Sequence, residues 1–408
     1  MNETPALIDK STLQAILHLS FATFASMTIQ RLCDPMLPQL ALDFGVERAF
    51  AAHVISYFAV TYGLMQIVFG PLGDRYGKYR ILSMATLGCS LGCFGCALAP
   101  TLPLLIACRV LTATCTAAII PLGLAWVGDT VPYAIRQATL ARVGLGSTMG
   151  IVAGQLFGGL LTDTLGWRWA FALVAIVFLL VGGVLWANPN ARVKKLEHGD
   201  GQEVDPNVSS NFFNNAWKVL QLQKARRLLS CVLLEGAIAF GAIAISATHL
   251  HDQQGILVSW AGSLVALFGL GGVIYMKFAK GFIQRLSEGQ MIKLGATIFA
   301  LAYACIGFAP HWGFDIPAFI LAGFGFFMLH NTLQVLATQL YPPLRGTCMA
   351  LFAALLFGGQ SLGVIFCAQL SAWVGSPWVL LFCGVSFAVL GLALTKWVTQ
   401  ASLASPAP

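Results

Sequence analysis

Charge is what this sequence has least of. Of its 408 residues only 10% are Asp, Glu, Lys or Arg, 58% are hydrophobic, and the mean hydropathy is +0.79. A soluble domain carries about 25% charged residues, so this chain has too little polar material to cover a water-facing surface, and its natural solvent is a bilayer. Catalytic signatures are scarce as well. No G-x-x-x-x-G-K-[ST] loop occurs, which leaves the chain without an ATP-driven engine. "GLGSTMG" is rich in glycine, but its spacing is not that of a dinucleotide-binding turn and no strand precedes it. No H-E-x-x-H occurs either. The chain is therefore expected not to be an enzyme and to need no cofactor. The eleven cysteines lie in or beside apolar segments, and Cys89, Cys93 and Cys96 share a helical face. No His or acidic residue stands within a few positions of them to complete a metal shell, so no metal site is expected. The opening "MNETPALIDKST" lacks a basic n-region with a cleavage site, and the first apolar segment is expected to stay as a membrane helix.

What is present is apolar length. A membrane-crossing helix needs roughly 20 apolar residues, and candidates lie near 13–40, 50–71, 80–99, 102–127, 140–162 and 169–187. A polar stretch containing "KKLEHGDGQEVDPN" interrupts them, and six more follow near 228–249, 256–278, 290–309, 314–339, 346–371 and 377–398. The expected organisation is a first six-helix bundle over 1–187, a linker over 188–227 and a second bundle over 228–408. With the N-terminus inside, all but four of the 23 basic residues fall on the cytoplasmic side. Arg48 and Arg168 lie outside, while Arg31 and Arg109 lie within apolar segments. The net charge of +7 is then a topology signal and not a nucleic-acid footprint, and both termini are expected in the cytoplasm.

The halves repeat. "VPYAIRQA" and "YPPLRGTC" place Pro132 and Pro342 at equivalent positions 210 residues apart, and "GWRW" and "GSPW" place Trp169 and Trp378 209 apart. Two homologous bundles read as a transporter that rocks about a central site. A channel or a membrane enzyme needs no such symmetry.

"GPLGDRYGKYR" joins the second and third candidates. It is a tight loop in which Gly70, Gly73 and Gly77 allow close helix approach and positive φ, and Asp74 can meet a helix end or a basic partner. The stretch resembles the signature loop of the major facilitator superfamily. "RVLTATCTAAIIP" resembles that family's second motif, with Arg109 as its intramembrane arginine. "GIVAGQLFGG" resembles its antiporter motif through Gly150, Gly154, Gly158 and Gly159, with Gln155 where the family has proline. "DPMLP" resembles the first-helix motif of the twelve-helix drug:proton antiporter branch. The resemblance covers the whole chain. It implies an all-α integral membrane protein, with twelve transmembrane helices in two pseudo-symmetric six-helix bundles. It further implies a cytoplasmic latch in which Asp74 and Arg75 contact the eleventh helix and Asp129, with Lys78, Arg136 and Arg345 nearby. A location in the bacterial inner membrane and action as a monomer are expected.

Ionisable residues inside a membrane cost about 2.5–3.5 kcal/mol each on insertion scales and call for a functional hypothesis. Arg31 and Asp34 on the first helix, Arg109 on the fourth and Glu235 on the seventh stand out, with His330 on the tenth as a group whose charge changes near neutral pH. Counting residues from the helix ends puts Arg31 level with Arg109, and Asp34 one turn above, towards the outer side. The same count puts Glu235 level with His330 nearer the inner side. Gln30, Gln66, Asn331 and Gln334 can offer hydrogen bonds to a solute. Tyr57, Tyr62, Trp126, Phe240 and Phe268 can offer aromatic walls. A carboxylate in an apolar cavity can hold a proton that an arriving solute expels, and Asp34 and Glu235 are the candidates. A static charge-neutralising role for Asp34 stays open at this point. So does the choice between a proton-coupled exporter of small amphipathic compounds, a proton symporter importing an organic anion, and a non-transporting scaffold.

Overall fold

A computed structural model of the chain describes residues 10–131, 133–188 and 212–403. Among them twelve helical spans are long and apolar enough to cross a membrane. Spans 1 to 6 are Thr12–Arg31, Arg48–Gly73, Lys78–Leu98, Leu102–Thr130, Arg142–Thr164 and Trp167–Trp186. Spans 7 to 12 are Gln223–Gln254, Val258–Arg285, Glu288–Phe308, Trp312–Gln339, Arg345–Val374 and Ser376–Val398. The described residues contain no strand. That is expected where the backbone has no water to bond and each segment must satisfy its own N–H and C=O groups. Residues 189–211 of the anticipated linker lie outside the described residues. The rest of it is not a loop: Phe212–Gln221 is a helix, and span 7 already begins at Gln223.

Two large apolar cores divide the molecule, with a small third cluster of Tyr275, Met291 and Met328. One is built almost wholly from residues before Leu185, the other from residues between Ala216 and Val398. The repeat is visible in the backbone. Gly45 and Gly255 end helices at φ 62° and 66°, and Gly166 and Gly375 turn the chain at φ 91° and 88°. These four are left-handed positions that only glycine takes without strain, and they recur 209 to 210 residues apart.

Two spans are interrupted where the sequence removes a donor. The first helix ends at Arg31, residues 32–36 form turns, and a second short helix runs Leu37–Phe44. Pro35 and Pro38 have no N–H to continue the ladder, and Asp34 sits in the resulting turn. Span 4 breaks at Ala117–Ala118, just ahead of Pro121.

The bundles are closed against each other on one face and apart on the other. On the closed face Arg48 of the first half forms an ion pair with Asp252 of the second. There Asp163 accepts a hydrogen bond from the Ser259 backbone N–H at 2.5 Å. Spans 5 and 8 touch through glycine: a methyl added at Gly159 would lie 2.6 Å from Val258 O, one at Gly262 2.6 Å from Gln155 O, and one at Gly269 2.6 Å from Val152. Towards the opposite face the same two spans find nothing within 4 Å of Gly144 or Gly281, and span 8 becomes exposed from Met276 onward. This second face carries the "GPLGDRYGKYR" turn and is called the motif face below.

Candidate functional site

Three glycines of "GIVAGQLFGG" decide how span 1 approaches span 5. Methyl groups at Gly150, Gly154 and Gly158 would lie 2.3, 2.5 and 2.3 Å from the carbonyl oxygens of Phe24, Thr28 and Leu32. Backbone therefore runs against backbone, as small residues permit within membranes. The consequence is chemical. Gln155, next to Gly154, comes within reach of the turn after Arg31, and its Nε2 donates to Asp34 Oδ2 at 2.7 Å. Arg31 Nη1 stands 3.7 Å from that same carboxylate oxygen, an ion pair longer than a hydrogen bond. All three side chains are buried. The residue that breaks the resembled motif is thus the hydrogen-bond partner of the intramembrane acid.

Arg109 is fully buried and donates from Nη1 to Ile29 O at 2.8 Å, with its guanidinium 3.9 Å from the Phe58 ring centre. Its Nε and Nη2 have no partner. Depth counting placed it level with Arg31, and its bond to a carbonyl two residues earlier agrees. Among the described residues no ion pair joins it to Asp34. The expected three-membered outer cluster is thus an Arg31–Asp34–Gln155 group with Arg109 beside it.

In the second half His330 Nδ1 and Glu235 Oε1 are 2.9 Å apart, and the carboxylate is fully buried with Oε2 unpartnered. The two levels are not separate compartments. Arg31 and His330 both line one cavity of about 150 Å³ between the bundles, with Gln30, Gln155 and a wall of Phe240, Phe268, Phe326, Phe327 and Phe357. The Arg31 guanidinium lies 4.3 Å from the Phe240 ring centre. Phe240 meets Phe326 at 5.5 Å, and Phe326 stacks on His330 at 5.2 Å. Two phenylalanine rings therefore connect the charged group of one half to that of the other.

Several anticipated residues lie elsewhere. Tyr57 is 47% exposed and packs on His53, outside the cavity wall, because span 2 is apolar on every side and its sequence does not mark an inner face. Gln334 is exposed and Asn331 half-buried, and neither lines the cavity. Trp126 packs on Tyr79, away from the cavity. Sequence reasoning missed Phe326, Phe327 and Phe357, since nothing distinguishes them among 28 phenylalanines. It also missed Gln155 as a partner of Asp34. The signal was there: a polar residue beside the middle glycine of three spaced by four.

At the motif face, Gly77 makes the turn at φ 92°, and Gly73 brings span 2 against span 4, where a methyl would lie 2.4 Å from Leu122. Gly70 does neither and faces open space. Asp129 is held by Lys78 at 2.6 Å. Arg75, the expected contact, is exposed and lies over its neighbour Tyr76. Arg345 is exposed at the start of span 11, and the side chains of Asp74 and Arg136 lie outside the described residues. The pattern G-x-S-x-G, that of a hydrolase nucleophile turn, stands at residues 88–92 and 359–363. Ser90 is buried in span 3 with its hydroxyl on Leu87 O, and Ser361 is buried in span 11. Neither stands on a strand-to-helix elbow. Among the described residues no group of His, Cys, Asp and Glu is placed to hold a metal.

A larger groove of about 760 Å³ lies between spans 7, 11 and 12. Leu234, Leu362, Phe366 and Val389 on its rim are about half exposed, as lipid-facing side chains are. No charged side chain lines it. The central cavity is smaller, but it is where the polar chemistry converges.

The family model described as Major Facilitator Superfamily matches residues 19–363. Among relatives, YwfA of Bacillus subtilis (strain 168), described as an uncharacterized MFS-type transporter, is 24% identical over 388 residues, 93% of this chain and 90% of that protein. The multidrug export protein EmrB of Escherichia coli (strain K12) is 21% identical over 345 residues, 74% of this chain and 67% of EmrB. Among solved structures, a bacterial homologue of the human lysosomal transporter Spinster, inward-facing and unoccupied, matches with a TM-score of 0.81 at 19% identity. That match covers 98% of this chain and 100% of the other.

Proposed function

As the chain belongs to the Major Facilitator Superfamily, and is an integral transporter of the bacterial inner membrane, we propose that it exports a small amphipathic organic compound in exchange for protons by alternating access. The observation that carries this reading is the buried Glu235–His330 contact at the wall of the central cavity. A carboxylate and an imidazole 2.9 Å apart share a proton site, and taking or losing that proton changes the pair's charge by one. A solute lodged against His330 competes with that change. Each proton crossing with the potential contributes about 2.3 kcal/mol per 100 mV, enough to drive export with no cofactor. The lining of the cavity comes from both halves of one chain, which supports action as a monomer.

Export draws support from two further points. Relatives include EmrB and a putative multidrug resistance protein, MdtD of Cronobacter sakazakii, 26% identical over 325 residues. The concentration of lysines and arginines in the connecting turns of the motif face supports a cytoplasmic place for it. The splayed side is then the one from which an exporter loads. An importing symporter is the second reading, favoured by Gln155 in place of the motif proline.

The test is a transport screen of the purified protein in proteoliposomes, run in both directions with an imposed proton gradient. Wild type should move solute against the gradient's sense, and Asp34→Asn or Glu235→Gln should uncouple it. If both variants still accumulate solute in step with the gradient, the coupling assignment is wrong.

A further inference from the structure

We infer that the central cavity takes a compact organic anion, a one-ring carboxylate or a molecule of that size and charge. Its acid group meets Arg31 and its ring lies among Phe240, Phe268, Phe326 and Phe327. This rests on the reading above only in taking the cavity as the solute's place.

The order of charges from the cavity outward carries the inference. Arg31, Gln30, Gln155 and His330 form the polar part of the wall, whereas Asp34 and Glu235 do not line it. Asp34 stands behind Arg31 and Gln155, and Glu235 behind His330. A cationic solute would therefore meet a guanidinium before it met either carboxylate. In the first half two buried guanidiniums face one buried carboxylate among the described residues. The Arg31–Asp34 ion pair runs from Nη1 alone at 3.7 Å, and a guanidinium has five N–H donors, enough to make as well the short, charge-assisted bonds that carboxylates accept in pairs. Gln30 belongs to the same wall, and its Nε2 is buried without a hydrogen-bond partner.

Size and lining set the rest of the molecule. An apolar cavity of about 150 Å³ in an unrelated protein holds one benzene, and this one has the same volume. One face of Phe240 is already occupied by Arg31 at 4.3 Å. The remaining rings offer edges and faces to an aromatic body, the arrangement such pairs prefer.

The experiment uses the full-length protein in lipid nanodiscs, without any gradient, and three matched probes: benzoate, benzamide and benzylammonium. Calorimetric titration should rank benzoate about 10- to 100-fold tighter than benzamide, the worth of one charge-assisted contact, with benzylammonium weakest. Arg31→Gln should lower benzoate to the level of benzamide, and Arg31→Lys should keep part of the preference. The wild-type ranking decides by itself where a variant fails to fold. Absence of benzoate binding overturns the inference, as does a ranking in which benzamide or benzylammonium equals benzoate. Benzoate bound in this order but moved in proteoliposomes without regard to a proton gradient supports the anion site and removes proton coupling instead.

Discussion

Replacing Gly154 by alanine tests how the site is held. The added methyl would lie 2.5 Å from Thr28 O and 2.8 Å from Arg31 Cβ, with backbone as the nearer obstacle. Ordinary contact begins near 3.4 Å, so span 5 must retreat from span 1 by about 0.9 Å. Gln155 is the next residue and moves with it. Its bond to Asp34 would lengthen from 2.7 Å to about 3.6 Å, beyond hydrogen-bonding reach. Overpacking of this kind costs about 1–3 kcal/mol. The control lies in the same span: Gly144 faces open space, and alanine there should gain about 0.5–1 kcal/mol as the better helix former. Thermal unfolding of both variants in nanodiscs, followed by transport in proteoliposomes, reads the two effects. Gly154→Ala should melt earlier and transport poorly, while Gly144→Ala should melt no earlier than wild type. Equal behaviour of the two, in either direction, refutes the argument that glycine spacing positions the acid.

Gln155→Leu strips Asp34 of its hydrogen bond and should cost about 1–3 kcal/mol in thermal unfolding. In an Asp34→Asn background the same Gln155→Leu change should cost clearly less, and equal losses in the two backgrounds would contradict the pairing. Arg48→Asp should loosen the closed face, speeding thiol labelling of Thr248→Cys beside it, and Asp252→Arg in the same chain should slow it again. An unchanged labelling rate would mean that the ion pair does not contribute to closure. Gly166→Ala and Gly375→Ala should each cost about 1–3 kcal/mol, and by similar amounts, since both occupy the same backbone conformation. Unequal losses would show that the repeat in backbone is not a repeat in energetics.

The spans were legible because length and hydropathy suffice for them. Two interruptions were not: the first segment, read over 13–40, ends at Arg31, since two prolines withdraw ladder donors within a few residues, and the fourth, read over 102–127, breaks at Ala117–Ala118. The Glu235–His330 level could be counted from helix ends because a straight helix rises 1.5 Å per residue. Asp34 and Gln155 are 121 residues apart, and no count along one helix relates them. Only the glycine-mediated contact of spans 1 and 5 brings them together. Rotation about the helix axis was the other blind spot. Tyr57, Asn331 and Gln334 sit on helices the sequence identified, but on faces it did not distinguish, because lipid and core reward the same apolar side chains.

The repeat also shows which contacts are able to move. Span 11 packs on span 7 as span 5 packs on span 1: methyl groups at Gly359 and Gly363 would lie 2.0 and 1.9 Å from Leu233 O and Ala237 O. Gly359-Gln360 stands 205 residues after Gly154-Gln155. Within each half, then, backbone is locked against backbone, and these pairs have to travel as units. The glutamines differ. Gln155 has an acid to bind, whereas Gln360 is fully buried with both amide atoms unpartnered. The second half keeps its acid one helix pair away, on His330. Between the halves the contacts are mixed: an exposed ion pair and one backbone-to-carboxylate bond on the closed side, glycine contacts of span 5 with span 8, and Arg31 over Phe240 and Tyr62 against Phe357 nearer the cavity. Exposed ion pairs are worth little, so the Arg48–Asp252 pair adds less to that closure than the close approach of spans 5 and 8 does. Each charged group lies within one half, Arg31, Asp34 and Gln155 in the first and Glu235 with His330 in the second, so a movement of one half against the other need not break either.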